Sequence, residues 1–141
     1  MAITFTNNWQ NILNKIQSVF RTEFKNTLPV FIGDEKAGSQ YLRLEPTGTD
    51  LLEYNAQMET REYSLEFFLH FADQSKTRTK LDAVLRLVSR IEYLIHDNIT
   101  MTLSDSSRIL DCRIESTELD AVEDSEDYIT KMEFRCVHSH L

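Results

Sequence analysis

One long stretch of alternating apolar and polar residues is the clearest hydrophobic pattern in the chain. It runs from about residue 58 to 71, and its period of two predicts a β-strand. Its apolar face comprises Tyr63, Leu65, Phe67, Leu69 and Phe71, and its polar face includes Thr60, Glu62, Ser64, Glu66 and His70. Because strands usually contain about five or six residues, part of this one is expected to project from its core. Its edge would then be available for a neighbouring subunit to extend.

Two stretches have the helical period instead. The first predicts an N-terminal helix over about residues 7–24, capped by an oxygen from residues 6–8. Its apolar stripe consists of Trp9, Ile12, Leu13, Ile16, Val19 and Phe20. The second predicts a central helix over about residues 76–97, capped by residues 73–75. Its stripe consists of Leu81, Val84, Leu85, Val88, Ile91, Leu94 and Ile95.

The remaining segments are shorter extended runs separated by turn residues. Residues 30–32 and 40–45 are predicted to form a hairpin, followed by a loop at 46–50. Further strands are predicted at 99–103, at 108–117 with Leu110, Cys112 and Ile114 on one face, and at 128–138. In the last of these, the aligned residues are Tyr128, Met132, Phe134 and Cys136. The order of elements predicts an α+β fold, a mixed and mainly antiparallel sheet packed against two helices, in a single domain over residues 1–141.

Composition limits the classes of protein to which this chain could belong. With 141 residues, 41% hydrophobic and 27% charged, the chain is long enough for one core and is typical of a globular protein. A net charge of −8 argues against binding to a nucleic-acid backbone. No apolar run approaches the roughly 20 residues that cross a bilayer, and no signal peptide is visible, so we expect the protein to be made and used in a cytosol. Cys112 and Cys136 are then expected to be small buried side chains, with a cross-strand disulfide as the alternative.

Motifs that would indicate catalysis or a cofactor are missing from the sequence. It contains only three glycines and no phosphate-binding loop, zinc-protease motif or nucleophile elbow. His138 and His140 stand two residues apart, but no third ligand is placed beside them by the sequence. We therefore predict no enzyme activity, no catalytic residue, no metal site and no cofactor.

Two clusters of charge allow two interpretations each. Residues 115–127 carry seven carboxylates and no base, which suits either a solvated connection between strands or part of a partner surface. Lys76, Arg78 and Lys80 form a basic cluster where the central helix begins. This cluster is either simply solvated or paired with the acidic segment of a neighbouring subunit, which would involve Glu123 and Asp124.

The order of elements, the length and the acidity resemble the tail terminator family of long-tailed bacteriophages, which includes the lambda-type minor tail protein U. The residues that carry the resemblance are NWQNIL at 8–13, YSLEFFL at 63–69, LDAVL at 81–85 and ITKMEF at 129–134. The resemblance implies a homohexameric ring in the virion tail, assembled in the host cytoplasm. Such a ring caps the finished tail tube, stops its polymerisation and joins it to a head-completion or neck protein. DNA would pass through its lumen without sequence-specific binding, and no membrane would be involved.

Long polar segments in the chain suggest where such a ring would make its contacts. Residues 33–39 and 46–58 are hypothesised to dock on the tube or on a neighbouring subunit, through Lys36, Arg43, Asp50 and Tyr54. Two other readings remain. One is a different phage neck or head-completion connector, and the other is a small α+β ligand-binding domain or enzyme.

Overall fold

The computed structural model describes residues 3, 5–25, 27–33, 40–72, 78–121 and 127–140. Two helices are present, α1 (Asn8–Phe24) and α2 (Arg78–Asp97). The six strands are β1 (Val30–Ile32), β2 (Gln40–Tyr54), β3 (Glu59–Ala72), β4 (Met101–Thr102), β5 (Arg108–Ala121) and β6 (Asp127–His140). The predicted α+β class is confirmed.

All six strands belong to one sheet, in the order β1-β2-β3-β6-β5-β4. Only the pair β1–β2 is parallel, and every other pair is antiparallel. The four long strands β2, β3, β6 and β5 form its body, while the short strands β1 and β4 cover only part of each outer edge. The sheet is therefore mixed but mainly antiparallel, as the sequence predicts.

The strand β3 lies in the centre of this sheet. Its partners run from Gln40↔Phe71 to Tyr54↔Glu59 on one side, and from Glu59↔His140 to Ala72↔Asp127 on the other. The prediction that β3 projects and offers an edge is therefore wrong, because strands of equal length flank it on both sides. Alternation shows which face of a strand is buried, but it contains no information about the strand's neighbours.

The core lies on one face of the sheet, beneath both helices. Phe67 of β3 stacks on Phe134 of β6 at 5.0 Å between ring centroids, and Phe20 of α1 meets Phe67 edge-on at 5.6 Å. All three side chains are fully buried. The alternation predicted for β3 is confirmed, because Tyr63, Leu65, Phe67 and Leu69 are all buried on this face. Burying a large apolar side chain contributes about 1.5–3 kcal/mol, so this cluster is a large part of the fold's stability.

The two helices lie side by side over this core. The Asn7 side chain caps α1 by accepting a hydrogen bond from the backbone N–H of Gln10 at 3.1 Å. Near the other end of α1, Arg90 of α2 places Nη2 2.9 Å from Glu23 Oε1 and its guanidinium 4.5 Å from the centre of the Phe24 ring. Both helices cover the same face, and no described helix or strand packs on the opposite face of the sheet, which is called the open face below.

Residues 30–32 and 40–45 do not form the predicted hairpin. β1 pairs with β2 in parallel, with Val30 opposite Leu42. The Gln17 side chain holds the middle of α1 to β1 by donating to the Val30 carbonyl at 2.9 Å, and the Leu42 N–H donates to the Pro29 carbonyl at 2.9 Å. The hydrophobic pattern of a three-residue strand is the same in either direction, so it could not distinguish the two pairings.

The predicted loop at 46–50 is also wrong, because β2 continues through it to Tyr54. Breaks in the register between Pro46 and Gly48, and between Leu51 and Glu53, accommodate the residues that suggested a loop. An outer strand tolerates proline, since its missing N–H is not needed on the unpaired side. A similar break between Ile109 and Asp111 of β5 turns Leu110 outward, so it does not share a face with Cys112 as predicted.

The apolar stripe of α2 is only partly buried. Val84, Val88, Ile91 and Ile95 are buried as predicted, but Leu81 and Leu85 are 36% and 40% exposed. The sheet beneath the first half of α2 does not cover them. Residues 73–77, which include the predicted cap and Lys76, lie outside the described residues. The strand predicted at 99–103 is shorter, Met101–Thr102, and the last strand continues two residues beyond the prediction, to His140.

Both cysteines are buried and free, and they lie opposite each other on β5 and β6. The Cys112 thiol is 3.2 Å from the Asn98 carbonyl oxygen. Burial raises the pKa of Cys112 to about 12 and also raises the pKa of Cys136. The thiols therefore stay protonated at neutral pH and act as small core side chains, as the sequence predicts.

Replacing Thr130 by valine should stabilise the protein. Thr130 of β6 is fully buried, and its hydroxyl oxygen has no hydrogen-bond partner among the described residues. A valine of nearly the same shape removes the desolvated hydroxyl, so we expect the free energy of unfolding to rise by about 1 kcal/mol in urea denaturation. Thr117→Val is the matched control, since the Thr117 hydroxyl donates to Glu92 at 2.7 Å and its loss should destabilise. A fall in stability for Thr130→Val would contradict this assignment.

Candidate assembly surface

The open face of the sheet carries charged side chains of both signs. Its described members include Arg43, Glu45, Glu62, Glu66, Arg113, Lys131 and Arg135. Acidic and basic groups are interleaved across β2, β3, β6 and β5, so this face does not present a single sign to a partner. The strongly negative charge of the whole chain is therefore not concentrated here.

Glu62 is the centre of an ion-pair network on this face. Its carboxylate accepts from Arg135 Nη1 at 3.2 Å and lies 3.5 Å from Arg113 Nη2, and its side chain is only 16% exposed. Lys131 pairs with Glu66 at 3.3 Å, four residues along the same two strands. Exposed pairs contribute at most about 1 kcal/mol each, so the network fixes side-chain positions more than it stabilises the fold.

At one outer edge of the sheet, residues 46–54 of β2 extend beyond the end of β1. No described strand pairs with this stretch on its outer side. Three large apolar side chains stand exposed near its end, with Leu51 51%, Leu52 54% and Tyr54 71% accessible. Consecutive exposed apolar residues on an open edge are typical of a protein–protein contact. We call residues 46–54 the β2 edge.

The opposite outer edge is open in the same way. β4 pairs only with Arg108 and Ile109 of β5, so residues 110–121 have no described strand on their outer side. Leu119 in this stretch is 40% exposed. We call residues 110–121 the β5 edge. The sheet therefore has two open edges, which differ in sequence and lie at opposite ends of the strand order.

A groove runs between α2 and the β5 edge. It has a volume of about 570 Å³, and the residues that line it include Tyr93 and Ile95 from the helix and Ile114 and Thr117 from the strand. The hydrogen bond from Thr117 to Glu92 of α2 holds its two walls together. Tyr93 is 70% exposed, so much of its ring is available to a partner. The groove is open and shallow, unlike the enclosed pockets that take small molecules.

A polar cluster connects the turn after β4 to the last strand. Ser107 Oγ lies 2.8 Å from His138 Nε2, and the Ser107 hydroxyl also donates to Asp105 Oδ1. His140 Nε2 is 3.7 Å from the other oxygen of Asp105. The sequence analysis did not predict this cluster, because the 31-residue separation of Ser107 and His138 requires the β5–β6 register to bring them together.

The directions of the hydrogen bonds in this cluster do not suit nucleophilic catalysis. Because Ser107 gives its only hydroxyl proton to Asp105, its oxygen accepts from His138, and we assign the His138 proton to Nε2. A serine nucleophile needs the reverse, a histidine that accepts the hydroxyl proton. His138 is 98% buried beside Tyr63, whose ring centroid is 5.8 Å away. The arrangement fastens the turn to the sheet.

The residues predicted to form an interface are not brought to one place. Arg43 lies on the open face, 3.6 Å from Glu45 and with its guanidinium 4.6 Å from the Phe68 ring centre. Asp50 and Tyr54 both belong to the β2 edge and are exposed. Arg78 begins α2, but its side chain is not described. Lys36, Lys76, Glu123 and Asp124 lie outside the described residues, together with most of the segment 33–39.

His70, on the polar face of β3, is half-buried and stacks on Tyr41 with 4.8 Å between the ring centroids. Among the described residues, no group of three or more His, Cys, Asp or Glu side chains is placed to hold a metal ion. Neither helix in the described part of the chain has the length and apolar character needed to span a membrane.

Solved structures with the same fold include a chain of the "Virion of native gene transfer agent (GTA) particle". That chain superposes with a TM-score of 0.64 and 9% sequence identity, over 96% of this chain and 100% of its own length. A second solved chain superposes with a TM-score of 0.61 and 12% identity, over 94% of this chain and 93% of its own. No protein-family model and no curated protein matches the sequence. At these identities the comparisons establish a shared fold.

We predict that acidification below about pH 6.5 destabilises the protein through His138. Burial lowers the pKa of His138 below its ordinary value of about 6.5, so the unfolded chain binds a proton more readily than the folded one. Stability due to this group is therefore present at neutral pH and is lost as the pH falls through 6.5. The melting temperature should fall between pH 7 and 5, and His138→Gln, which keeps a side-chain N–H donor, should flatten that slope.

The exposed His96 provides the control for this prediction, since His96→Gln should leave the slope unchanged. Asp105 affects the stability of the fold in a lower pH range, because the hydrogen bond from Ser107 holds the pKa of that carboxyl below its ordinary value. Its contribution is lost only below about pH 4. An equal slope in the His138→Gln variant and the unmodified protein would contradict the assignment.

Proposed function

We propose that this chain is a structural protein of a phage-like virion, which forms a hexameric ring on the end of the tail tube. The ring stops polymerisation of the tube and offers a surface for joining to the head or neck. The protein acts by shape and self-association, and it is not an enzyme.

The observation that carries the proposal is the likeness of fold to a chain of a gene transfer agent virion. The two chains match over almost their whole lengths, 96% of this one and 100% of the other. The two chains therefore share one fold over nearly all of the residues compared. The tail-terminator resemblance of the element order leads to the same class of particle and supplies the more specific role.

The surfaces of the chain support self-association. A closed ring needs two different, complementary patches on each subunit, because each copy contacts the next one head-to-tail. We assign these two patches to the β2 edge and the β5 edge, which lie on opposite sides of one sheet. The β2 edge exposes Leu51, Leu52 and Tyr54 close together, and the β5 edge exposes Leu110 and Leu119.

The described chemistry offers little support for catalysis. The hydrogen bonds of Ser107 and His138 have the directions of a structural link, and the groove between α2 and the β5 edge is open to solvent. The partners we infer are further copies of this chain, a tail tube protein and a head-completion or neck protein. Assembly would take place in the host cytoplasm and the product would be located in the virion tail, with DNA passing through the lumen.

Growth of tail tubes in the presence of the purified chain tests the proposal. We expect the chain to bind to one end of preformed tubes, to block their further growth, and to be present there in six copies by mass measurement of the capped tubes. Binding to portal-bearing heads in the absence of tubes would favour a head-completion connector instead. Binding to neither, or a tube-bound stoichiometry other than a ring, would contradict the proposal.

Substitutions at exposed residues refine this test. Asp50→Ala combined with Tyr54→Ala removes two exposed side chains of the β2 edge, and we expect it to reduce capping at least tenfold while the fold is kept. Ser18→Ala, on the exposed side of α1, is the matched control and should cap tubes normally. Unchanged capping by the double variant would remove the β2 edge from the docking surface.

A further inference from the structure

We propose that neighbouring copies join edge-to-edge, so that the β2 edge of one copy pairs in antiparallel fashion with the β5 edge of the next. The sheet then continues across every junction. This inference rests on the proposed function, since it specifies which surfaces close the ring.

The direction of the strands makes this junction possible. From one open edge to the other, the long strands follow the order β2, β3, β6, β5, and each pair is antiparallel. Because the number of long strands is even, the two outer strands of one copy run in opposite directions. Copies related by rotation about a ring axis keep the same orientation, so the β2 edge of one meets the β5 edge of the next in antiparallel alignment. An odd number would have required parallel pairing, which is slightly less stable per residue.

Both edges have backbone groups available for pairing. Residues 46–54 and 110–121 have no described strand on their outer sides, and they are similar in length. An open edge of this kind is a template for another strand. Two bulges in each strand limit the choice of partner, because only a strand whose twist and register match them can pair over its length.

The groove next to the β5 edge accommodates the side chains of an added strand. A strand paired with β5 presents alternate side chains on the face that α2 covers. These side chains would lie against Tyr93 and Ile114 in the groove. Leu51, Leu52 and Tyr54 of the β2 edge are all more than half exposed in the separate chain, and those that alternation directs to this face would fill the groove. Leu81 and Leu85 are also exposed on α2, but they are not among the residues that line the groove.

The area involved indicates a weak junction that becomes stable on closure. The exposed large apolar side chains of the two edges and the groove are Leu51, Leu52, Tyr54, Tyr93, Leu110 and Leu119. Together they offer on the order of 700 Å², whereas a stable interface buries about 1,600 Å², of which roughly 60% is apolar. One junction alone falls short of that apolar area. A closed ring makes two junctions per copy, so closure, or attachment to a tube, raises the stability of each.

Charge on the two edges opposes the junction at low salt. The β2 edge contains Asp50 and Glu53, and the β5 edge contains four carboxylates (Asp111, Glu115, Glu118 and Asp120) and one cation, Arg113. Carboxylates on both sides repel each other, and dissolved salt screens that repulsion. Assembly through these edges should therefore be favoured by raising the salt concentration from 50 to 500 mM. An interface between surfaces of opposite charge would respond in the opposite way.

Cysteine cross-linking between copies tests the junction. One preparation carries Leu51→Cys or Glu53→Cys, and the other carries Ser116→Cys or Glu118→Cys, all at exposed positions. The native cysteines are buried and remain as they are. We expect mixed preparations on tail tubes, under mild oxidation, to give disulfide-linked pairs of copies for at least one combination of positions. Each preparation alone should give less than a tenth of that yield.

The outcomes of this experiment separate a failure of the edge-to-edge junction from a failure of the proposed function. Efficient linkage within a single preparation would show a symmetric contact of like edges and would overturn the inference. Rings on tubes with no cross-link in any mixed preparation would also overturn it, while the proposed function would stand. Failure of the unmodified protein to bind tubes would contradict the proposed function itself, and not only the junction. Each cysteine variant is therefore compared with an unmodified protein of the same melting temperature.

Discussion

The stacking of Phe67 on Phe134, beneath Phe20 of α1, is the contact on which the rest of the structure depends. It sets the two central strands, β3 and β6, against each other with their apolar faces toward the helices. Once these strands are central, β2 and β5 can only lie outside them. The same packing that stabilises the core therefore determines which strands have open edges.

Those edges have a consequence for assembly. β1 and β4 cover only a few residues of the outer strands, so long stretches of β2 and β5 have no neighbour among the described residues. The helices cover one face, and the ion pairs around Glu62 satisfy the charges on the other. In the described sheet, the backbone groups without a neighbouring strand are therefore concentrated at the two outer edges. These edges are the basis of the proposed ring, in which each side would be completed by the next copy.

The sequence predicted the features that depend on local pattern. The alternation around Phe67 and the periodicity around Ile91 are direct consequences of burial on one face, and both were confirmed. The neighbours of each strand could not be predicted in the same way, because alternation is blind to pairing. The parallel placement of β1, the central position of β3 and the continuation of β2 through Pro46 all depend on contacts between distant residues.

The candidate assembly surface could likewise be predicted only in part from the sequence. Asp50 and Tyr54 were chosen for their position in a long polar segment, and they lie on the β2 edge. Leu81 and Leu85 were assigned to the core because their spacing is helical, yet the sheet does not extend far enough to cover them. The contact between Ser107 and His138 needed the register of β5 and β6, which a bulge displaces by one residue. Sequence patterns thus indicated which residues are buried or exposed. The strand order and register were needed to show which of these residues lie next to each other.

The central claim is that the two open edges of this sheet are closed by other copies when the protein assembles. Amide hydrogen exchange, measured on the free chain and on the chain bound to tail tubes, tests this claim most directly. We predict that the outward-facing amides of residues 46–54 and 110–121 exchange rapidly in the free chain and become protected together on assembly, while α1 changes little. Rapid exchange at both edges in the assembled state would contradict the account.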